Sequence, residues 1–337
     1  MIIRYVESTA YKSEVHIVNS VIPKIVYHYC SLESFISIIN NSTIRLTNIS
    51  KSNDRDEIGY CFNAFERALR ETCKEFTDKY LKNKGIIKFF NSICYDDLVS
   101  KAVLNESLIY YVGCFSTEAD LLSQWRGYAN DGKGVAIGFY SKSFFVAKDL
   151  KSVKFNRITY DMDQVEIELH DYIINKLVKI YKETKSKSNC SIYENAINDI
   201  ISGMVYNAVF YKNPAFKEEN EWRLVFYPFG NIRNLLITHK YNDMASNYLF
   251  YDRMLESIEY EKDYHGLKRG KLGFKSVEDK IMSYIDMNFE SIKQTTLAEI
   301  IIGPKSNIND RDLRLFLMSN GYDLSRINIK KSSATYR

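Results

Sequence analysis

Short runs of β-branched and aromatic residues recur along this chain in irregular clusters, and this pattern constrains the fold most. The clearest are KIVYHYC at Lys24–Cys30, SLIYYVGCF at Ser107–Phe115 and EWRLVFY at Glu221–Tyr227, and such compositions favour strands. Parallel sheets need a long crossover, usually a helix, between successive strands, and the chain shows no regular alternation of that kind. We therefore predict an α+β fold with a mainly antiparallel, curved sheet. Further strands are predicted at TIRLTN, Gly134–Phe139, NLLITH, Leu297–Pro304 and RINIKKSS.

Helical periodicity is concentrated in two long segments. Residues 57–104 predict two helices, Glu57–Lys82 and Ile86–Leu104, that cover the sheet. Residues 161–212 predict a helical insertion in which the polar loop KETKSKSNCS joins two antiparallel helices. Only 4 Pro and 14 Gly are present, which leaves little material for a flexible hinge. We predict one domain over residues 1–337.

Composition excludes several classes of protein. The chain is 45% hydrophobic and 26% charged, which suits a folded globular protein. Its net charge of +4 is too mild to indicate a membrane or nucleic-acid surface. The six cysteines form no C-x-x-C pair, so neither a zinc ribbon nor a redox pair is predicted. The N-terminus lacks a signal-peptide core, and no apolar run is long enough to span a membrane, so we expect a cytoplasmic protein.

Polar residues interrupt three apolar strands, and we expect them to line one pocket. They are His28 in VYHYC, Ser116-Thr117 after VGCF, and the pair Glu219 and Glu221 at the start of EWRLVFY. Two carboxylates on one side of a strand repel each other unless a task or a counter-charge holds them. A simpler interpretation is that His28 is structural and that Glu221 begins a solvated strand, with Arg223 as its partner.

Several motifs together resemble a bacterial family of unknown function. They are Tyr27-His28-Tyr29, Asn53-Asp54 with Glu57, Cys114-Phe115-Ser116, Trp125 with Tyr128, the strand Gly134–Phe139, Glu219-Asn220-Glu221-Trp222-Arg223, the IIIGP strand and a terminal Ser333–Arg337. The resemblance covers nearly the whole chain. It names a family without implying a function.

The order of His28, Ser116-Thr117 and Glu219-x-Glu221 is also similar to that of the ADP-ribosyltransferases. This resemblance implies a split sheet and NAD as a substrate. It implies that His28 holds the adenosine ribose, that the Ser116 strand braces the site, that Glu221 contacts the nicotinamide ribose and that Glu219 activates the acceptor. The third residue of the family's Ser-Thr-Ser strand is Glu118 here, and the tyrosine of the nicotinamide pocket is not assigned.

These residue types suit the implied chemistry. Cleavage of the nicotinamide–ribose bond passes through an oxocarbenium-like state, which a fixed carboxylate such as Glu221 stabilises. Glu219 would accept a proton from the incoming nucleophile. Trp125 and Tyr128 lie one helical step apart and would cover a flat ring, unless they are core residues. Arg126 is a candidate pyrophosphate clamp, unless it forms a surface ion pair.

Two other functions remain open. A metal-dependent nuclease would use Asp54, Asp56, Glu57, Glu219 and Glu221, although an acidic, Asn-rich loop before a helix is more often a cap, and we assign no metal. A non-enzymatic binding domain would use the polar strand ends for structure alone. The favoured hypothesis is an NAD-dependent ADP-ribosyltransferase that modifies a macromolecule, protein or nucleic acid, as a bacterial toxin or a phage-defence effector.

Overall fold

A computed structural model describes residues 22–49, 61–93, 110–145, 152–184, 190–228, 262–264, 266–277 and 279–336. Within these residues the chain forms an α+β fold with one large, mostly antiparallel sheet. The strands are β1 Ile25–Cys30, β2 Thr43–Asn48, β3 Tyr111–Ser116, β4 Val135–Tyr140, β5 Val153–Arg157, β6 Glu221–Phe226, β7 Lys262–Tyr264, β8 Leu267–Val277, β9 Lys280–Asn288, β10 Leu297–Ile302 and β11 Asn328–Lys331.

Helices occupy the segments where the apolar spacing is helical. They are α1 Leu32–Asn41, α2 Phe62–Tyr80, α3 Lys84–Asn91, α4 Leu122–Tyr128, α5 Lys142–Phe145, α6 Met162–Thr184, α7 Cys190–Asn207, α8 Lys293–Thr296 and α9 Asp310–Ser319. Side-chain caps fix several helix starts, since Ser31 accepts from the Ser34 N–H and Asn309 from the Arg311 N–H. Among the described helices, none has the length and apolar character needed to cross a membrane.

Strand β3 is the branch point of the sheet. One edge of β3 pairs with β6 along its whole length, from Tyr111 to Ser116. Its other edge pairs with β2 at Tyr111 and Val112 and with β1 at Ser116. Strands β1 and β2 therefore part from each other beside the middle of β3. One arm runs β1-β4-β10-β11, the other runs β2-β9-β8-β7, and β5 extends β6; in this sheet only β10 and β11 pair in parallel.

The two faces of the sheet carry different cores. The inner face encloses an apolar cluster to which both arms contribute, including Val26, Ile137, Trp222 and Ile285. On the outer face of β3 and β6, helices α2, α6 and α7 cover a second cluster. A small third cluster lies under α4, on the outer face of β1 and β4. Helices α2 and α6 pack on each other, so the two predicted helical segments form one layer.

Most predicted elements are present, with shifted ends. The helix predicted over Glu57–Lys82 begins at Phe62 in the described part, and the one predicted over Ile86–Leu104 is α3, beyond which residues 94–109 lie outside the described residues. NLLITH also lies outside them. The long hairpin of β8 and β9 and the strand β5 were not predicted from the sequence.

Candidate active site

A row of paired residues crosses the middle of the sheet on its outer face. Tyr27 on β1 lies opposite Ser116 on β3, and Ser116 lies opposite Glu221 on β6. Residues that lie directly opposite each other point to the same side of a sheet. The predicted neighbours Ser116 and Glu221 therefore share one face, at the place where β1 and β2 part.

Glu219 reaches the same face from a turn rather than from a strand. The 3₁₀ turn Pro214–Glu219 is capped by Asn213, and Asn220 is left-handed with a φ of 44°. The strand alternation assumed from the sequence therefore does not apply to this pair. The two carboxylates nevertheless converge, because the Lys212 Nζ atom donates to Glu219 Oε2 at 2.7 Å and to Glu221 Oε2 at 3.1 Å.

Glu221 is also paired with Arg223, as the simpler interpretation of the sequence predicted. Arg223 Nε donates to Glu221 Oε1 at 2.6 Å and Nη2 donates to Oε2 at 3.1 Å, while Nη1 donates to the Val209 carbonyl at 2.7 Å. The expected solvated position is wrong, because only 1% of the Arg223 side chain and 6% of the Glu221 side chain are exposed. Two carboxylates and two cations thus form a buried, neutral cluster.

The cations hold Glu221 in its charged form. Burial alone would raise the pKa of this carboxyl, but the neighbouring Arg223 and Lys212 charges and their hydrogen bonds lower it to about 2. The Cys114 thiol also donates to Glu221, and the protein atoms packed around it together with the Glu221 charge raise the pKa of that thiol well above its ordinary value. Cys114 is therefore a neutral thiol at pH 7, although part of the residue still reaches solvent.

Ser116 braces the turn that carries Glu219. Its Oγ donates to the Glu219 carbonyl at 2.6 Å and accepts from the Glu118 N–H at 3.0 Å. The Thr117 N–H donates to the Asn220 carbonyl at 3.1 Å, and the Thr117 hydroxyl donates to Glu118 Oε1 at 3.3 Å. The end of β3 and the turn before β6 are therefore fastened together.

Helix α4 brings one of its three candidate residues to the carboxylates. The Tyr128 hydroxyl donates to Glu219 Oε1 at 3.2 Å, and the Tyr128 side chain is half exposed. Trp125 is fully buried against Tyr29, so its ring does not reach a ligand position. Arg126 is exposed, and its charge acts on Asp131 rather than on the carboxylates.

His28 lies on the other face of the sheet. It is two residues away from both Val26 and Cys30 on β1 and so shares the face on which these two residues join the inner cluster. Its ring packs on Phe115 with 5.7 Å between the ring centroids. Its Nδ1–H donates to the Cys114 carbonyl at 2.9 Å, beside the gap between β1 and β2. The expectation that His28, Ser116 and Glu221 line one cleft is therefore wrong for His28, because strand alternation turns it inward.

A cation of the protein itself lies between the two carboxylates. The Lys212 ammonium already occupies the position between Glu219 and Glu221 that a bridging cation would take. Within the described ranges, no group of three or more His, Cys, Asp or Glu side chains is arranged to hold a metal ion. Asp54, Asp56 and Glu57 lie outside those ranges.

Sequence reasoning missed Lys212 and Cys114. Lys212 is the last residue of the predicted helical insertion 161–212, and nothing there marks it as a site residue, although the two nearby glutamates did require a counter-charge. Cys114 lies on the outer face of β3 together with Val112 and Ser116. It stands within a continuous apolar run, so the sequence does not show that it is exposed.

One stretch of the chain matches a family of proteins whose function is unknown. No curated protein matches the chain, and no solved structure matches it. The stretch that does match a family begins at α4 and ends inside β6, so it includes Tyr128, Lys212, Glu219, Glu221 and Arg223. The predicted resemblance to a family without known function is confirmed for residues 124–224, which match the family described as "Protein of unknown function (DUF2971)".

Proposed function

We propose that this protein transfers ADP-ribose from NAD to a macromolecular acceptor. The observation that carries the proposal is the pair of carboxylates Glu219 and Glu221, which converge on Lys212 beside the exposed Cys114 of β3. The junction of the sheet, where β1 and β2 part beside β3, also suits the split sheet that the resemblance to ADP-ribosyltransferases implies.

Each carboxylate has a distinct part in this proposal. Glu221 keeps its negative charge at neutral pH because two cations hold it, and a fixed negative charge stabilises the cationic sugar formed as nicotinamide leaves. Glu219 accepts the proton of the attacking acceptor group, and the Tyr128 hydroxyl orients its carboxylate. The proposal gives His28 no ribose contact, because its side chain lies on the opposite face.

The test is nicotinamide release and acceptor labelling with NAD and a cell lysate. We expect Glu221→Gln to lower the rate of both by on the order of a hundredfold to a thousandfold. Glu219→Gln should retain hydrolysis of NAD and lose transfer, because its role begins only when the acceptor arrives. Each variant is assayed well below its own melting temperature.

Glu299→Gln is the matched control. Glu299 is also a buried carboxylate bound by a lysine and a tyrosine, Lys330 at 3.0 Å and Tyr27, but it lies on β10, away from the carboxylate pair. This variant should keep full activity. If wild type consumes no NAD, the ADP-ribosyltransferase proposal is rejected and the binding-domain hypothesis is favoured.

A biological role follows from the chemistry. Because depletion of NAD or inactivation of an essential macromolecule stops growth, we propose a toxin or defence effector. Induced expression should arrest bacterial growth for wild type and not for Glu221→Gln, whereas equal growth of both strains would contradict this role.

A further inference from the structure

Asp120, two residues before the start of helix α4, accepts hydrogen bonds from the C-terminal end of the described chain. Its carboxylate accepts from Ser332 Oγ at 2.6 Å, from the Ser333 N–H at 2.7 Å and from Ser333 Oγ at 2.8 Å. It also accepts from Trp125 Nε1 inside α4 at 2.6 Å. One carboxylate therefore joins the C-terminal segment to the helix.

The same segment is fastened again beyond the other end of α4. The Tyr336 hydroxyl donates to Asp131 Oδ1 at 2.5 Å, and Lys305 Nζ donates to Asp131 Oδ2 at 2.8 Å. The Lys305 ammonium also lies 3.8 Å from the centre of the Tyr336 ring. Residues 332–336, which we name the C-terminal clasp, thus hold the segments that flank both ends of α4.

The clasp is itself anchored to the sheet. The Ser332 N–H donates to the Ile302 carbonyl at the end of β10 at 2.8 Å. On the other side of α4, Tyr29 of β1 donates to the Glu118 carbonyl at 2.7 Å and accepts from the Leu121 N–H at 3.0 Å. Helix α4 has only seven residues and is too short to be stable alone, so its position depends on these hydrogen bonds together with the packing of the buried Trp125.

We propose that the C-terminal clasp positions α4 so that Tyr128 holds the Glu219 carboxylate, which makes Ser333 and Tyr336 positioning residues. The catalytic consequence rests on the proposed function, but the positioning itself does not. Misplacement of a catalytic group by about 1 Å can cost on the order of a hundredfold in rate, so a clasp remote from the carboxylates matters to them.

The direct test measures α4 without any assay of activity. The double variant Ser333→Ala with Tyr336→Phe removes clasp hydroxyls and leaves Asp120, Asp131 and α4 unchanged. We expect hydrogen exchange of the α4 amides to become at least about tenfold faster. In a Trp222→Phe background, where Trp125 is the single tryptophan, its emission should shift to the red.

Ser325→Ala is the matched control. The Ser325 hydroxyl donates to Asp323 Oδ1 at 2.7 Å in a turn remote from α4, as the Ser333 hydroxyl donates to Asp120. This variant should change neither α4 exchange nor Trp125 emission. Unchanged exchange and unchanged emission in the double clasp variant would overturn the proposal.

The catalytic test separates positioning from general damage. The clasp variant should lower transfer to the acceptor by about tenfold or more while leaving NAD hydrolysis near the wild-type rate, and Tyr128→Phe should lower transfer by a similar factor. Combining the clasp variant with Tyr128→Phe should add no further loss, because both act through one contact. Additive losses would overturn the link to Tyr128. If wild type consumes no NAD, the proposed function fails and α4 exchange alone decides the clasp.

Discussion

The Glu221 carboxylate is buried between Lys212 and Arg223, and this burial changes what a substitution there should do. An exposed ion pair contributes about 0–1 kcal/mol to stability, so Glu221→Gln at a solvated strand start would change stability little. Breaking a buried pair leaves an uncompensated charge and costs about 3–5 kcal/mol. In this protein the carboxylate is both a proposed reactive group and a structural partner.

The loss of stability at low pH depends on the protonation of the Glu221 carboxylate. Its pKa is about 2 in the folded protein against an ordinary value of 4.5, a difference that corresponds to on the order of 3 kcal/mol. Because the folded pKa is lowered, this stabilisation is present above about pH 4.5 and is lost as the pH falls towards 2. We expect Glu221→Gln to be less stable at pH 7 and to lose less stability between pH 5 and 2, as measured by urea unfolding.

Glu290→Gln is the control variant for the pH dependence of stability. Glu290 pairs with Lys293, but 56% of its side chain is exposed, so solvent screens the pair. This variant should follow the wild-type pH dependence closely. Parallel curves for wild type and Glu221→Gln would show that Glu221 is not held charged by its neighbours.

At the scale of single elements, the buried strands with continuous apolar runs were predicted and the exposed hairpin was not. Strands β3, β4, β6 and β10 lie where their β-branched and aromatic runs placed them. The β8–β9 hairpin was missed because its outer half is solvated: Phe274 and Ile281 are exposed there, and lysines and glycines interrupt the pattern. A hairpin half that is largely exposed leaves neither a continuous apolar run nor a regular alternation in the sequence.

The candidate site was predictable in its residue types and less so in its geometry. Ser116 and Glu221 were placed correctly on one face because both belong to regular strands. His28 was predicted on the wrong face because the sequence shows the alternation along β1 but not the register between β1 and β3. In the structure Tyr27, and not His28, lies opposite Ser116. Glu219 lies close to Glu221 because Asn220 between them has a left-handed backbone conformation, which the sequence spacing alone does not show.

Two glycines near α4 should respond in opposite ways to alanine. A Cβ atom at Gly134 would lie 2.1 Å from the Cys30 carbonyl oxygen, whereas one at Gly127 meets no atom within 4 Å. Backbone atoms of β1 cannot move away, so Gly134→Ala should destabilise the fold by about 1–3 kcal/mol or more. Gly127→Ala, in the exposed part of α4, should stabilise by up to about 1 kcal/mol. Thermal melts of the two variants provide the measurement, and a stability gain in Gly134→Ala would contradict the close approach of β1 and β4.

For the whole molecule, β3 and β6 connect the two large cores. Phe115 on the inner face of β3 contacts Phe139 and Phe155, while Val112 on its outer face belongs to the cluster under the helices. The helical layer therefore shares its supporting strands with the enclosed core. This arrangement favours one cooperative unit, as the single-domain prediction for residues 1–337 requires.

Phe76→Ala tests that cooperativity. Phe76 is fully buried in α2 and contacts Phe90, Tyr181 and Tyr193 within the helical layer, so the substitution should cost about 3–5 kcal/mol. Both tryptophans, Trp125 and Trp222, lie in the other two clusters. We expect tryptophan fluorescence and the helical circular dichroism signal to show coincident urea transitions, shifted together to lower urea. Loss of the helical signal before the fluorescence change would show instead that the helices unfold as a separate unit, because the shared strands would then not couple the two cores.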